Sequence, residues 1–170
     1  MQQALYTHIA AGAVLDASAT VFGDGGSIVA WSDITDSRAK TYAHGQFRSM
    51  AGIQGGNGGN IETSGYSLNT QGIGVNTQSL YGENGVWLLD PYDITIGTLA
   101  SGDSFANSFT SPSQTSVILA SDISTALATS NVSIWTGSGD LSNTININAA
   151  ISKTAGASTT ALDFRAATIN

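Results

Sequence analysis

Short runs that are either apolar throughout or alternate between apolar and polar residues recur along the chain. They have the length of strands and lie at 13–15, 27–31, 73–75, 93–96, 132–135 and 144–148. Alternation with a period of two places successive side chains on opposite faces of a strand. Segments rich in Gly and Asn separate these runs and are typical of turns, at 23–26, 55–60 and 82–85. The pattern therefore predicts an all-β chain of short strands.

The spacing of comparable strands predicts how they are arranged. It is often about twenty residues, as from Ile28 to Phe47, from Val75 to Ile94 and from Ile147 to Ala166. A strand of four or five residues cannot bury its apolar face alone, whereas stacked coils share a continuous core. We expect a solenoid of the right-handed parallel β-helix type, with one coil about every twenty residues.

One segment has the pattern of a helix. Residues 121–129 begin with the capping residue Ser121 and place apolar residues at Ile123, Ala126 and Leu127. This spacing predicts a short helix directly before a strand. Residues 102–116 are predicted to form an extended loop, so the solenoid is expected to carry a helix and loop excursions.

Composition supports strands and limits the partners. Gly, Ser, Thr and Asn make up 72 of the 170 residues, and all four disfavour long helices. The hydrophobic fraction of 41% is sufficient for one domain over residues 1–170. With a net charge of −7 and five Lys and Arg residues, we expect no binding to nucleic acid or to an anionic membrane.

The absence of cysteine and of long apolar stretches excludes several kinds of site and segment. No Cys is present, so disulfides and thiolate metal sites are excluded. No window approaches the ~18 apolar residues of a membrane helix, and we expect no membrane insertion. The first residues show no signal peptide. A secreted protein with this sequence is expected to be an internal fragment or a mature form.

Three blocks of sequence resemble a known family. They are 25–33, which contains Gly-Gly-Ser-Ile-Val-Ala-Trp, 58–65, which contains Gly-Gly-Asn-Ile-Glu-Thr, and 85–96, which contains Trp-Leu-Leu-Asp-Pro-Tyr-Asp. Their order and spacing are similar to those of the filamentous-haemagglutinin-like exoproteins of two-partner secretion, over roughly residues 10 to 170. The secretion domain of that family, with its Asn-rich motifs, is not found in this sequence.

The resemblance implies a function. It implies a β-helix stalk segment of a large secreted adhesin, exported through an outer-membrane transporter and located on the extracellular face of a bacterial cell. The implied partner is a receptor or glycan on a host or neighbouring cell. Some members carry a toxin at the end of the same stalk, so a contact-dependent toxin is one alternative. A carbohydrate-binding or carbohydrate-active β-helix is another.

Two pairs of carboxylates bear on the enzyme alternative. Asp33 and Asp36 form one pair, and Asp90 and Asp93 form the other. Enzymes that cleave polysaccharides use clustered carboxylates. Both pairs also fit turns, because Asp33 and Asp36 follow a strand and Pro91 suits the second position of a type I turn begun by Asp90. We interpret both as turns and expect no enzymatic activity and no catalytic residues.

Metal and cofactor sites are not expected. His8 and His44 are the two histidines, they lie far apart in the sequence, and neither is placed beside carboxylates that would complete a metal site. We expect them to be exposed or hydrogen-bonded. The run 55–60 resembles a calcium-binding repeat, but Asn replaces Asp and the motif is not repeated, so a turn is preferred.

The three tryptophans and the chain end complete the predictions. Burial is preferred for Trp31, Trp87 and Trp135, although exposed tryptophans could stack on sugars.

The last residues of the chain have the pattern of an unfinished coil. We therefore expect weak end-to-end self-association, reduced by Ile169→Lys.

Overall fold

The computed structural model describes residues 3–98, 116–136, 143–153 and 159–170. Within them the chain forms fifteen strands and one helix. The elements in chain order are β1 (Tyr6–Ile9), β2 (Val14–Asp16), β3 (Ser27–Trp31), β4 (Lys40–Ala43), β5 (Gln46–Arg48), β6 (Asn60–Gly65), β7 (Ser67–Asn69), β8 (Gly74–Asn76), β9 (Val86–Pro91), β10 (Ile94–Gly97), β11 (Ser116–Leu119), α1 (Ala120–Ala126), β12 (Asn131–Trp135), β13 (Thr144–Ile147), β14 (Leu162–Arg165) and β15 (Thr168–Ile169). The all-β prediction is confirmed, and each of the six runs predicted to be strands overlaps a strand.

The strands form four sheets, and every pairing between named strands in the described residues is parallel. The sheets have the strand orders β1-β4-β7, β2-β5-β8, β3-β6-β9-β12-β14 and β11-β10-β13-β15. From β1 to β9 the chain visits the first three sheets in the same order three times. We call the sheet that contains β3, β6, β9, β12 and β14 the five-stranded sheet.

The predicted spacing of about twenty residues is wrong. Ile28 pairs with Ile61 and not with Phe47, and Val75 pairs with Phe47 and not with Ile94. Ile147 and Ala166 are likewise not partners, since β13 pairs with β15. The reason is that two other strands separate successive visits to one sheet, so partners lie further apart in the sequence.

The three Gly-containing blocks come together at the start of the strands in the five-stranded sheet. Ser27 pairs with Asn60, and Asn60 pairs with Val86. The preceding glycines are then in backbone contact, and a Cβ on Gly85 would lie 1.9 Å from the carbonyl oxygen of Gly59. Only a residue without a side chain fits at this approach, so the blocks mark the positions where successive strands begin.

The core lies between the sheets and is filled by the inward side chains of each strand. In β9, Trp87 and Leu89 are fully buried, and the indole Nε1 of Trp87 donates a hydrogen bond of 3.0 Å to Thr63 Oγ1. Ile61 and Ile134, on the strands either side, are buried at matching positions. Each parallel neighbour thus adds one layer to a continuous apolar core.

Helix α1 confirms the helix predicted at 121–129, although its start differs. Ile123, Ala126 and Leu127 are buried as the pattern predicted. The residue before the first turn is Leu119, and no side chain caps it, so Ser121 is not the cap. The helix contacts β8, and its end is held there by a hydrogen bond from Thr129 Oγ1 to the carbonyl of Val75. The predicted loop at 102–116 lies outside the described residues except for Ser116, which begins β11.

Candidate functional site

The outward face of the five-stranded sheet carries a row of polar and aromatic side chains across its strands. Trp31 pairs with Ser64, and Ser64 pairs with Asp90. Because Ile134 pairs with Leu89, the register places Trp135 next to Asp90, and Trp135 pairs with Arg165. We call Trp31, Ser64, Asp90, Trp135 and Arg165 the central row. The residues that precede them in four of these strands, Ala30, Thr63, Leu89 and Ile134, are buried. Within the row itself Ser64 is also buried, at 2% exposure, whereas Trp31 and Arg165 are exposed.

Two carboxylates lie at the middle of this face. Glu62 is two residues before Ser64 in β6, and Ser64 Oγ donates a 2.9 Å hydrogen bond to Glu62 Oε1. Asp90 is on the neighbouring strand, diagonal to Glu62. Burial raises the pKa of Asp90 to about 6, and the negative charge of Glu62 adds to that rise. Its Oδ1 atom is buried and accepts no hydrogen bond within the described part of the chain.

The tryptophans of the central row differ from Trp87 in exposure. Trp31 is 53% exposed, so the preference for its burial is wrong, whereas the burial predicted for Trp87 is confirmed. Trp135 is partly exposed, and the guanidinium of Arg165 lies 4.6 Å from its ring centroid. Its indole Nε1 is buried and has no acceptor among the described residues. Trp31 is therefore the more open aromatic surface of the row.

A stacked pair of tyrosines follows the carboxylates along the strands. Tyr66 comes two residues after Ser64, and Tyr92 comes two residues after Asp90. Their ring centroids are 4.6 Å apart and the planes are inclined by 14°. Trp31 and Trp135 are thus on either side of the carboxylates along the row, and the tyrosine pair lies just beyond the C-terminal ends of β6 and β9.

The acidic residues predicted to form turns have different positions. Asp33 Oδ1 accepts hydrogen bonds from the N–H and the hydroxyl of Thr35, which confirms the turn at that residue. Asp36 forms an ion pair of 2.6 Å with Arg38, whose hydrogen bond lowers the pKa of Asp36 to about 2. Both carboxylates are therefore used within their own loop.

In the second pair of carboxylates, Asp93 fixes the backbone but Asp90 does not begin a turn. Asp93 Oδ1 accepts a hydrogen bond of 2.9 Å from the N–H of Thr144, so this carboxylate fixes the backbone. The turn predicted to begin at Asp90 is wrong, because strand β9 continues through Asp90 to Pro91. Its carboxylate is consequently presented on the face of the sheet.

The two histidines come close together across strands β1 and β4. His8 pairs with Tyr42, and the ring centroids of His8 and His44 are 6.4 Å apart. His8 is exposed, and His44 Nδ1 lies 2.8 Å from the carbonyl oxygen of Gln71, which agrees with the prediction for both. The described residues contain no group of three or more potential metal ligands.

The Gly-rich run at 55–60 is held by a ladder of side chains. The N–H of Asn57 donates to Asp24 Oδ1, and Asn57 Oδ1 accepts from the N–H of Glu83. Gly56 has a φ of 122°, a conformation that favours glycine. The turn itself lies at Ile53 and Gln54, and residues 56–59 form an irregular connection that leads into β6.

An open cleft of about 600 Å³ lies beside the N-terminal ends of β9 and β12 but offers few free groups. Its amides are engaged, since Asn131 Nδ2 donates to the carbonyl of Asn84 and Asn84 Oδ1 accepts from Ser79. Asn131 Oδ1 also accepts from the N–H of Ala161. The cleft is therefore a less suitable binding site than the central row.

Sequence reasoning missed Glu62, Tyr66 and Tyr92. Alternation within 60–65 places Glu62 and Ser64 on the same face, and this signal is present in the sequence. What the sequence does not supply is the register, which brings Glu62 beside Asp90 and Tyr66 beside Tyr92.

Comparison with known proteins leaves the family open. No model of a known protein family matches the chain, and a search of curated proteins finds no significantly similar relative. The likeness to filamentous-haemagglutinin-like exoproteins therefore remains a prediction. No helix of the described residues is long and apolar enough to cross a membrane.

Proposed function

We propose that the chain is a right-handed parallel β-helix segment and serves as a structural and adhesive part of a large protein exported to the bacterial cell surface. The observation that carries this proposal is the order of the strands. The chain visits three sheets in the same order three times, and each visit pairs in parallel with the one before. A solenoid built from such coils forms an extended stalk.

The connections support the handedness. Parallel strands joined by a crossover are right-handed in nearly all known cases, because the twist of the strands favours that sense. The coincidence of the three Gly-containing blocks with the starts of β3, β6 and β9 supports the resemblance to exported adhesins. On that resemblance, an outer-membrane transporter is the partner during export.

The surface supports adhesion over catalysis. Charged residues are 10% of the chain, and large side chains are exposed on its strands and turns, including Trp31 at 53% and Phe22 at 77%. Exposed aromatic side chains on a rigid scaffold are typical of contact surfaces. The carboxylates of the loop at Asp33 and Asp36 are occupied within that loop.

Attachment of coated beads tests this function. Beads carrying the folded chain should attach to bacterial or animal cells, and soluble chain should compete with them. Beads carrying an unrelated all-β protein of the same net charge are the control. Attachment no greater than this control would contradict adhesion, and so would release of reducing ends from a polysaccharide that is lost in Asp90→Asn.

A further inference from the structure

We propose that the outward face of the five-stranded sheet binds an extended, neutral glycan, with Trp31 stacking on a sugar ring and Glu62 and Asp90 accepting hydrogen bonds from its hydroxyl groups. The glycan would lie along the central row, across the strands. This assignment rests on the adhesive function proposed above and names the ligand class of that surface.

The unused groups of the row point to a ligand with both apolar and polar faces. Trp31 exposes half of its surface on a strand, where burial would be favourable. Glu62 and Asp90 lie beside it on the next two strands, and both carboxylates are partly exposed. Carboxylate oxygens accept hydrogen bonds, so these side chains can bind a ligand that carries hydroxyl groups. A sugar supplies a flat C–H face for the indole and hydroxyls that both donate and accept.

The geometry of the row fits a chain of sugars. Neighbouring strands lie about 4.8 Å apart, so the three steps from Trp31 to Trp135 span roughly 14 Å. One pyranose of an extended glycan is about as long as one strand spacing. Successive sugars would therefore lie over Trp31, over the position of the buried Ser64, and over Asp90 and Trp135.

The charges at the row determine which glycans can bind. Glu62 and Asp90 at the centre repel sulfates, phosphates and uronates, as does the net charge of −7. Arg165 is the one cation of the row, and its Nε is engaged by Asp163 Oδ2 at 2.9 Å. A neutral glycan that presents hydroxyl donors avoids this repulsion, so an extended β-1,4-linked glucan is the ligand of choice for the test.

Calorimetric titration of the whole chain with cellohexaose, a neutral β-1,4-linked glucan, tests the proposal. Wild-type protein should bind cellohexaose and should not bind hexagalacturonate, an anionic glycan of the same length. Trp31→Ala should weaken binding about tenfold or more because the stacking surface is lost. Trp31→Phe should restore part of it, and Glu62→Gln with Asp90→Asn should weaken it.

Phe22→Ala is the matched control, because Phe22 is an exposed aromatic residue on a turn and not on this row. It should bind as wild type does, and circular dichroism should show that every variant is folded. Equal affinity of Trp31→Ala and wild type would overturn the proposal, as would hydrolysis of cellohexaose or absence of binding. Bead attachment that persists when cellohexaose does not bind would leave adhesion standing and remove only the glycan assignment.

Discussion

Trp31 and Trp87 show how the position of a residue within a strand decides its role. In β3, Ile28 and Ala30 occupy the inward positions, so Trp31 faces outward, whereas in β9 the inward positions belong to Trp87 and Leu89. The run 28–31 is continuously apolar, and its inward face cannot be chosen from periodicity alone. The exposure of Trp31 therefore could not be predicted from the sequence.

Replacing the two tryptophans should have unequal effects on stability. Trp87→Ala removes a fully buried side chain and its hydrogen bond to Thr63, and should lower the free energy of unfolding by about 3–5 kcal/mol. Trp31→Ala should change it by less than about 1 kcal/mol, because half of the side chain is exposed. Urea denaturation measures both, and similar losses would contradict the burial assigned to these residues.

Asp90 should make stability depend on pH. Its pKa is raised in the folded state from 3.8 to about 6, so the folded chain binds the proton more tightly than the unfolded chain does. The stabilisation that protonation of Asp90 contributes to the folded state is complete below about pH 4 and is lost as the pH rises through 6. Because Asp90 is only partly buried, solvent screening reduces the effect to about 1 kcal/mol.

Urea denaturation between pH 4 and pH 7 checks this. Wild-type protein should lose stability relative to Asp90→Asn as the pH rises. Asp33→Asn is the control without an expected slope in this range, because hydrogen bonds from Thr35 lower the pKa of Asp33 and its stabilisation is lost only below about pH 4. A wild-type curve parallel to that of Asp90→Asn would show that the Asp90 carboxyl is solvated.

At the scale of elements, the sequence predicted the strands and the helix but not the partners of the strands. The alternating runs and residues 121–129 carry local signals strong enough to predict. Strands such as β5, with three residues, are too short for a periodic pattern. The spacing of about twenty residues therefore compared Ile28 of β3 with Phe47 of β5, which belong to different sheets, and the register was left undetermined. The prediction of site residues did not include Glu62 for the same reason.

The stacked glycines that begin the strands can be tested by adding a methyl group. Gly85→Ala would place a Cβ 1.9 Å from the carbonyl oxygen of Gly59, and the backbone of two strands would have to move apart. We expect a loss of about 2 kcal/mol or more. Gly12→Ala is the matched control, since no atom lies within 4 Å of its Cβ, and should be nearly neutral. Thermal and urea unfolding of both variants would contradict the stacking if the losses were equal.

At the scale of the whole molecule, both proposals depend on the order of strands in the five-stranded sheet. Val29 pairs with Glu62, Glu62 with Leu88, Leu88 with Ser133 and Ser133 with Asp163. These five outward positions form a second row beside the central row. Residues far apart in the sequence are therefore separated by a small number of strand spacings.

The most direct test is the distance between two spin labels on this second row. The chain has no native cysteine, so Val29→Cys with Asp163→Cys labels two outward positions only. Four strand spacings put their backbones roughly 19 Å apart, and the pair at Val29 and Ser133 should be shorter by about one spacing of 4.8 Å. Pulsed electron paramagnetic resonance should give two narrow distributions that differ by that amount. Broad distributions, or a Val29–Asp163 distance no longer than the Val29–Ser133 distance, would contradict the stacked order of the strands.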